Sequence, residues 1–256
     1  MITIKSPREI ELMARAGRIV GDVLALVRSR AAAGVSTWDL DRLAEDFIRS
    51  HDGATPSFKG LYGFPATLCT SINAEVVHGI PSRKRVLAEG DILSVDVGAC
   101  IGGLHADGAV TATVGEVAPA TRRLLETTER ALAAGIAEAR AGGHVGDIGS
   151  AVQRVAEAEG YGVVRELVGH GIGSQFHEEP QIPNYGLPHR GPRLLAGMTL
   201  AIEPMINLGR PEVRTLPDKW TVVTVDGSLS AHFEHTVLVT ADGARILTQP
   251  SPVPVG

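Results

Sequence analysis

The stretch ILSVDVGACIGGLHADGAVTATV, residues 92–114, decides how this chain is read. Two β-type runs, Ile92–Val97 and Ala109–Val114, flank the turn residues Gly102 and Gly103, so the segment folds back as a hairpin. Each arm carries an aspartate, Asp96 and Asp107, eleven positions apart (107 − 96). For both to reach one face at an odd separation, the turn or a bulge must set the register. Either aspartate alone reads as a turn or strand-end residue. Asp96 is the harder to dismiss, because Val95 and Val97 flank it where an unpaired charge is costly.

Three more ionisable residues sit in similar apolar or glycine-lined surroundings: His170 in ELVGHGIG, Glu203 in MTLAIEPMI and Glu234 in AHFEHTVLV. Glu203 alone reads equally as a metal ligand or half of a buried ion pair, and His232 or His235 competes with Glu234 as a ligand. Together, Asp96, Asp107, His170, Glu203 and Glu234 carry a formal charge of −4, which two divalent cations would neutralise. Without cations or matching basic partners, these carboxylates could share a pocket only against desolvation and repulsion. Four oxygen donors, one imidazole and no thiolate suit Mn, Fe(II), Co or Zn and argue against a cysteine-type structural zinc. Such a pair of ions can lower the pKa of a bridging water and polarise a carbonyl, which is hydrolytic chemistry.

Composition frames this reading. The 256 residues are 44% hydrophobic with a net charge of −5, enough for one large core and without a basic tract that would favour nucleic acid. Cys69 and Cys100 form no disulfide framework. The charged N-terminus lacks a signal-peptide core, and no apolar run has membrane-span length, so a cytoplasmic protein is expected.

Ser6, Pro7 and Glu9 form a capping-box start to a helix whose inner face runs through Met13, Val20, Leu24 and Val27. A second helix follows Ser36. After Pro119 the order recurs, with a helix through Leu124, Leu132 and Ile136 and another opening near Asp147. Placing Asp39 on Asp147 sets Leu40 against Ile148 and Phe47 against Val155. Two helices followed by strands, twice, predict two related halves, 1–115 and 116–250, within a single catalytic domain spanning 1–256. Further strands are expected at Val76–His78, Val163–Val168, Thr199–Glu203, Thr221–Val225 and Thr236–Val239.

These motifs resemble type I methionine aminopeptidases of the bacterial style. The matching stretches are TSINAEVVHGIPS, GDILSVDVGA with HADGA, VVRELVGHGIGSQFHEEP, GMTLAIEPM, DKWTV and SAHFEHTVLV, and the likeness spans residues 3–248. The resemblance implies an α+β pita-bread fold, with two pseudo-symmetric halves, helices outside a curved antiparallel sheet and a central dinuclear site. It implies removal of the initiator methionine from nascent proteins, with a small penultimate residue, by attack of a metal-bridging water or hydroxide on the first peptide bond. By position, Asp96 would bind one metal, Asp107 and Glu234 would bridge, and His170 and Glu203 would complete the other. Glu203 would also act as acid/base, His177 would contact the scissile carbonyl and His78 the amide nitrogen. Phe58, Leu61, Phe64, Cys69, Phe176 and Trp220 match the methionine slot, where aromatic faces and edges suit a thioether.

The likeness also brings a monovalent-cation position near Asn73 and Ser230, a monomeric state and a ribosome-proximal role, without membrane or nucleic-acid partners. Three positions depart from the family pattern. Leu61 replaces a usual aromatic, which predicts a more open pocket mouth, and Ala106 and Gly108 flank Asp107. Two rivals remain: a proline-specific peptidase of the same fold, and a non-catalytic relative that binds partners or RNA. Proline-specific members usually carry a further N-terminal domain, and non-catalytic ones typically lose ligands.

Overall fold

Helix starts are written locally. In the computed structural model, which describes residues 2–252, α1 (Pro7–Arg30) opens with the reciprocal Ser6–Glu9 capping box. Met1 and residues 253–256 of the expected domain lie outside the described residues. Helix α2 (Thr37–Arg49) is capped by the Ser36 side chain. Strands β1 (Ala54–Pro56), β2 (Leu68–Ile72), β3 (Glu75–Val77), β4 (Ile92–Ile101) and β5 (Leu104–Thr113) follow. The second half repeats the plan with α3 (Pro119–Glu138) and α4 (Val145–Ala158). Then come β6 (Gly162–Val163), β7 (Gly169–Gly171), β8 (Glu178–Ile182), β9 (Thr199–Ile202), β10 (Met205–Asn207), β11 (Val213–Thr215), β12 (Val222–Thr224), β13 (Ser230–His232), β14 (Glu234–Val239) and β15 (Ala244–Ile246).

The Asp39–Asp147 correspondence is visible in three dimensions. Each stands three residues after the N-cap of its helix, and the caps Ser36 and His144 form isolated antiparallel bridges with Val86 and Arg193. The main sheet runs β1-β4-β5-β14-β9-β7-β8, with β2 on β4 and β15 on β14, and every pairing is antiparallel. On one side, Leu93, Val95 and Val97 of β4 pack with Val20, Val23 and Val27 of α1. Leu200, Ile202 and Val237 join Leu124, Leu132, Ile148 and Val152 of α3 and α4 in the other half's core. The opposite face is left for the site.

The hairpin register decides between the two expected alternatives, turn and bulge, and lengthens two strands. No bulge interrupts it: Gly102 and Gly103, both with positive φ, make a two-residue turn, and Ile101 pairs with Leu104. Asp96 therefore pairs with Ala109 and Asp107 with Gly98, and Gly98 shares a face with Asp96 two residues away. A regular two-residue turn thus brings the odd separation to one face. Both strands are ten residues long, beyond the apolar runs that predicted them. The predicted strand at Val163–Val168 shortens to β6, and His78 lies just past β3 with φ 59°. No helix among the described residues is long and apolar enough to cross a membrane.

Candidate metal centre

Strand parity sorts the ionisable side chains. Glu234 lies across from Ala109, and His235 from Gly108, so Glu234 faces the Asp96 side and His235 the helices. His235 bonds Thr248 at 2.8 Å, which removes it from the competition for a metal. His170 pairs with Ala201 across β7 and β9, placing Glu203, two residues further on and just past β9, on that same side. Donor atoms of Asp107, His170 and Glu234 all lie within 4.8 Å of one another. His170 Nε2 is 3.9 Å from Asp107 Oδ2 and 3.7 Å from Glu203 Oε1. The imidazole Nδ1–H donates to the Gly171 carbonyl at 2.8 Å, which leaves the Nε2 lone pair aimed at the carboxylates.

The cluster lacks internal compensation. Asp96 Oδ1 and Glu234 Oε1 are buried without a hydrogen-bond partner. Burial pushes Asp96 up to about 7. Asp107 rises well above the ordinary carboxylate range through burial, then the charges of Glu234 and Asp96. Glu234 rises through burial, then Glu203 and Asp96, and Glu203 through burial, then Asp107 and Asp96. Such a set is stable in its charged form only with cations among it. The orphaned oxygens and the free Nε2 fit divalent metal.

All thirteen residues singled out from the sequence line one cavity of about 140 Å³: the five ionisable ones, His78, His177, Phe58, Leu61, Phe64, Cys69, Phe176 and Trp220. Phe58 and Phe176 meet edge to face with centroids 5.3 Å apart, and Phe64 and Trp220 at 5.1 Å. Cys69 pairs with Asp96 across β2 and β4, and burial, then the Asp96 charge, keeps its thiol protonated. Burial, then the His177 charge, lowers His78 to about 4, and burial lowers His177, so both rings are neutral at pH 7. Ala106 and Gly108 face α1, but the Gly108 N–H donates to Asp107 Oδ1 at 2.9 Å and helps orient it.

Tyr62 escaped the sequence reading, and His232, offered there as a competing ligand, does not line the cavity. Tyr62, beside Leu61, stands at the rim with 73% exposure, its ring stacked on His177 at 5.8 Å. Its signal is local, an aromatic in a GLYG turn. His232 is buried behind the cavity with its Nε2 4.0 Å from Glu203 Oε2 and neither ring nitrogen hydrogen-bonded. Asn73 and Ser230 do adjoin, the Ser230 N–H donating to the Asn73 carbonyl at 2.9 Å. A second His/Asp group, His144, Asp147 and His189, has another explanation. Both Asp147 oxygens accept backbone N–H groups at 2.7 Å, tying the α4 start to the 189 loop, and a helix N-terminus disfavours a cation.

Residues 11–241 match the model of metallopeptidase family M24. The chain is 52% identical to a methionine aminopeptidase of Clostridium acetobutylicum, over 97% of this chain and 99% of that one. It is 51% identical to methionine aminopeptidase 1 of Bacillus subtilis, over 97% and 100%. The crystal structure of methionine aminopeptidase from Thermotoga maritima superposes with a TM-score of 0.96 at 46% identity, covering 97% and 100%. Prolidase from Pyrococcus furiosus, at 24% identity and a TM-score of 0.77, shares the fold over 97% of this chain and 66% of its own. The chain belongs to metallopeptidase family M24, and within it to the methionine aminopeptidases. It is a metal-dependent hydrolase of the pita-bread fold.

Proposed function

We propose that this chain removes the N-terminal methionine from nascent polypeptides, using residues 1–256 as a single catalytic domain. The observation that carries the reading is the joining, in one cavity, of an uncompensated carboxylate–imidazole cluster with an aromatic slot. Asp96, Asp107, His170, Glu203 and Glu234 would hold two divalent ions, with Co, Mn, Fe(II) and Zn all suited to the donor set. Bound there, the metal would offset the carboxylate charge, acidify water and polarise the scissile carbonyl.

The chain's own groups supply the rest. Phe58, Phe64, Phe176, Trp220, Leu61 and the protonated Cys69 enclose the methionine side chain and exclude water from it. The Tyr62 hydroxyl lies 3.4 Å from His177 Nδ1, a long contact whose best polarity has the hydroxyl donating. That leaves Nε2–H of the neutral His177 to donate to the carbonyl oxygen as negative charge develops there. His78 sits beside the departing amide nitrogen. Glu203 takes the proton from the attacking water and returns it to the amine as the C–N bond breaks. A small penultimate residue, a monomeric state and a ribosome-proximal, cytoplasmic setting complete the assignment.

The test compares Met-Ala-Ser with Gly-Pro and Xaa-Pro peptides, for the native chain and Asp96→Asn. Release of methionine that vanishes with a chelator, returns with metal and collapses in Asp96→Asn is the expected result. Cleavage restricted to the proline peptides, or metal-independent turnover, overturns the assignment.

A further inference from the structure

The residues ahead of α1 reach the segment that carries His177. Lys5 Nζ lies 2.7 Å from Glu178 Oε2, with only 4% and 7% of the two side chains exposed. Thr3 donates its hydroxyl to the same carboxylate oxygen, and the Lys5 ammonium also meets the Thr3 hydroxyl. The other oxygen, Glu178 Oε1, accepts the Gln175 N–H at 3.2 Å. Behind it, the Lys5 backbone N–H donates to the Gly197 carbonyl at 2.9 Å, anchoring the strap just before β9. The Lys5 stem lies over Gly173, where an added Cβ would collide with Lys5 Cε and stand 2.5 Å from Glu178 Oε1.

Two charges buried in this way are weak evidence for stability, because desolvation offsets much of their attraction. What the pair does is fix a backbone. Glu178 pairs with Gly171 on β7, beside the register shift that follows His170, and His177 precedes it directly. The His177 ring has little holding of its own: the 3.4 Å contact with Tyr62, and packing against His170 and Phe176 with centroids at 4.4 and 4.8 Å. Its place therefore depends on the 173–178 backbone, and that backbone is tied to Lys5.

We propose that the Lys5–Glu178 ion pair is a positioning device, through which the N-terminal strap of residues 3–5 holds the His177 imidazole at the scissile carbonyl. It rests on the role of His177 in the proposed function. Lys5 and Glu178 touch no substrate; both act through His177.

A double-mutant cycle on the cobalt-loaded protein with Met-Ala-Ser tests this. Lys5→Met should lower kcat roughly ten- to a hundred-fold, the scale of a misplaced catalytic group, and Lys5→Arg should restore most of it. KM should stay within about twofold, since ground-state binding is untouched. In the His177→Ala background the same substitution should cost less than about twofold, because the group it positions is gone. Bound metal should be unchanged, and in the zinc-loaded protein the His177 ring resonances should shift on Lys5→Met, a readout free of turnover. Should Lys5→Met fail to fold, Thr3→Val keeps both charges and carries the same cycle with a smaller loss. Equal losses in both backgrounds, or a native kcat in the folded variant, overturn the proposal. A native chain that releases no methionine would instead overturn the proposed function, and the His177 resonances would still decide on the strap.

Discussion

A single methyl at position 98 tests the slot directly. Gly98 lies opposite Asp107 on β4, and a Cβ there would stand 2.8 Å from Ser57 Cβ, 3.0 Å from Phe176 Cε2 and 3.1 Å from Phe58 Cε1. Carbon atoms prefer separations from about 3.5 Å, so the overlaps are roughly 0.4–0.7 Å. Ser57 cannot give way easily, because its N–H donates to the Gly98 carbonyl at 2.9 Å and its hydroxyl meets His105 at 2.9 Å. The two rings must yield instead, into a cavity of only about 140 Å³. Overpacking of this kind costs about 1–3 kcal/mol. At about 2–4 °C per kcal/mol for a domain of this size, Gly98→Ala should melt several degrees lower. Losing about a methylene of room from an apolar pocket is worth roughly 10- to 200-fold in discrimination. We therefore expect kcat/KM for Met-Ala-Ser to fall within that range, chiefly through KM, with bound metal unchanged. A norvaline-Ala-Ser peptide, with its shorter side chain, should lose less. Steady-state kinetics on both peptides and a melting curve decide it. Equal effects on the two peptides, or an unchanged KM for the methionine peptide, would refute the reasoning from overlap.

Chelation should lower the melting temperature and metal return should restore it, by about 2.7 kcal/mol of stability at a hundredfold excess over Kd; superimposable melts with and without chelator would contradict the buried-charge reading. Asp41 accepts the buried N–H groups of Thr67 and Leu68 at 2.9 and 2.8 Å, at the entry to β2. Asp41→Ala orphans both and should cost on the order of 2–6 kcal/mol in urea unfolding, with Asp41→Asn costing clearly less; a loss under about 0.5 kcal/mol, the range of surface changes, would show that the donors find other partners. For Glu178, burial pushes the carboxyl up, but the Lys5 and Thr3 side chains and the Gln175 N–H together hold it below the ordinary glutamate value of 4.5. Its stabilising contribution is complete above pH 4.5 and is lost as pH falls through the lowered native value. The stability gap between the native chain and Glu178→Gln should therefore close in acid, and a pH-independent gap would count against the pair.

What was legible in the sequence had local causes. Ser6, Pro7 and Glu9 specify the start of α1, and the spacing of Asp39 and Asp147 reports the two-fold plan because each sits in the first turn after its cap. The lengths of β4 and β5 were not legible: Ser94, Asp96, Gly98, His105 and Asp107 face the site and break the apolar pattern that marks a strand. Choosing Glu234 over His235 required the pairing of β14 with β5, which fixes parity across a long loop. Tyr62 was hidden because its ring is exposed and its backbone has φ 51°, so it matches no core pattern. The Lys5–Glu178 pair left no sequence signal at all, since a lysine ahead of a helix cap ordinarily faces water.

The span of these contacts bears on how the protein is made. The Asp107 N–H bonds the Thr236 hydroxyl across 129 positions, and Lys5 meets Glu178 across 173. Closing such distant contacts is entropically slow, and a chain emerging from the N-terminus holds Asp96 and Asp107 long before Glu234 exists. No fragment that stops short of β14 contains the whole carboxylate set, so competence arrives late and all at once. A protein that removes an N-terminal methionine thus holds its own full ligand set only once its chain has been made through β14.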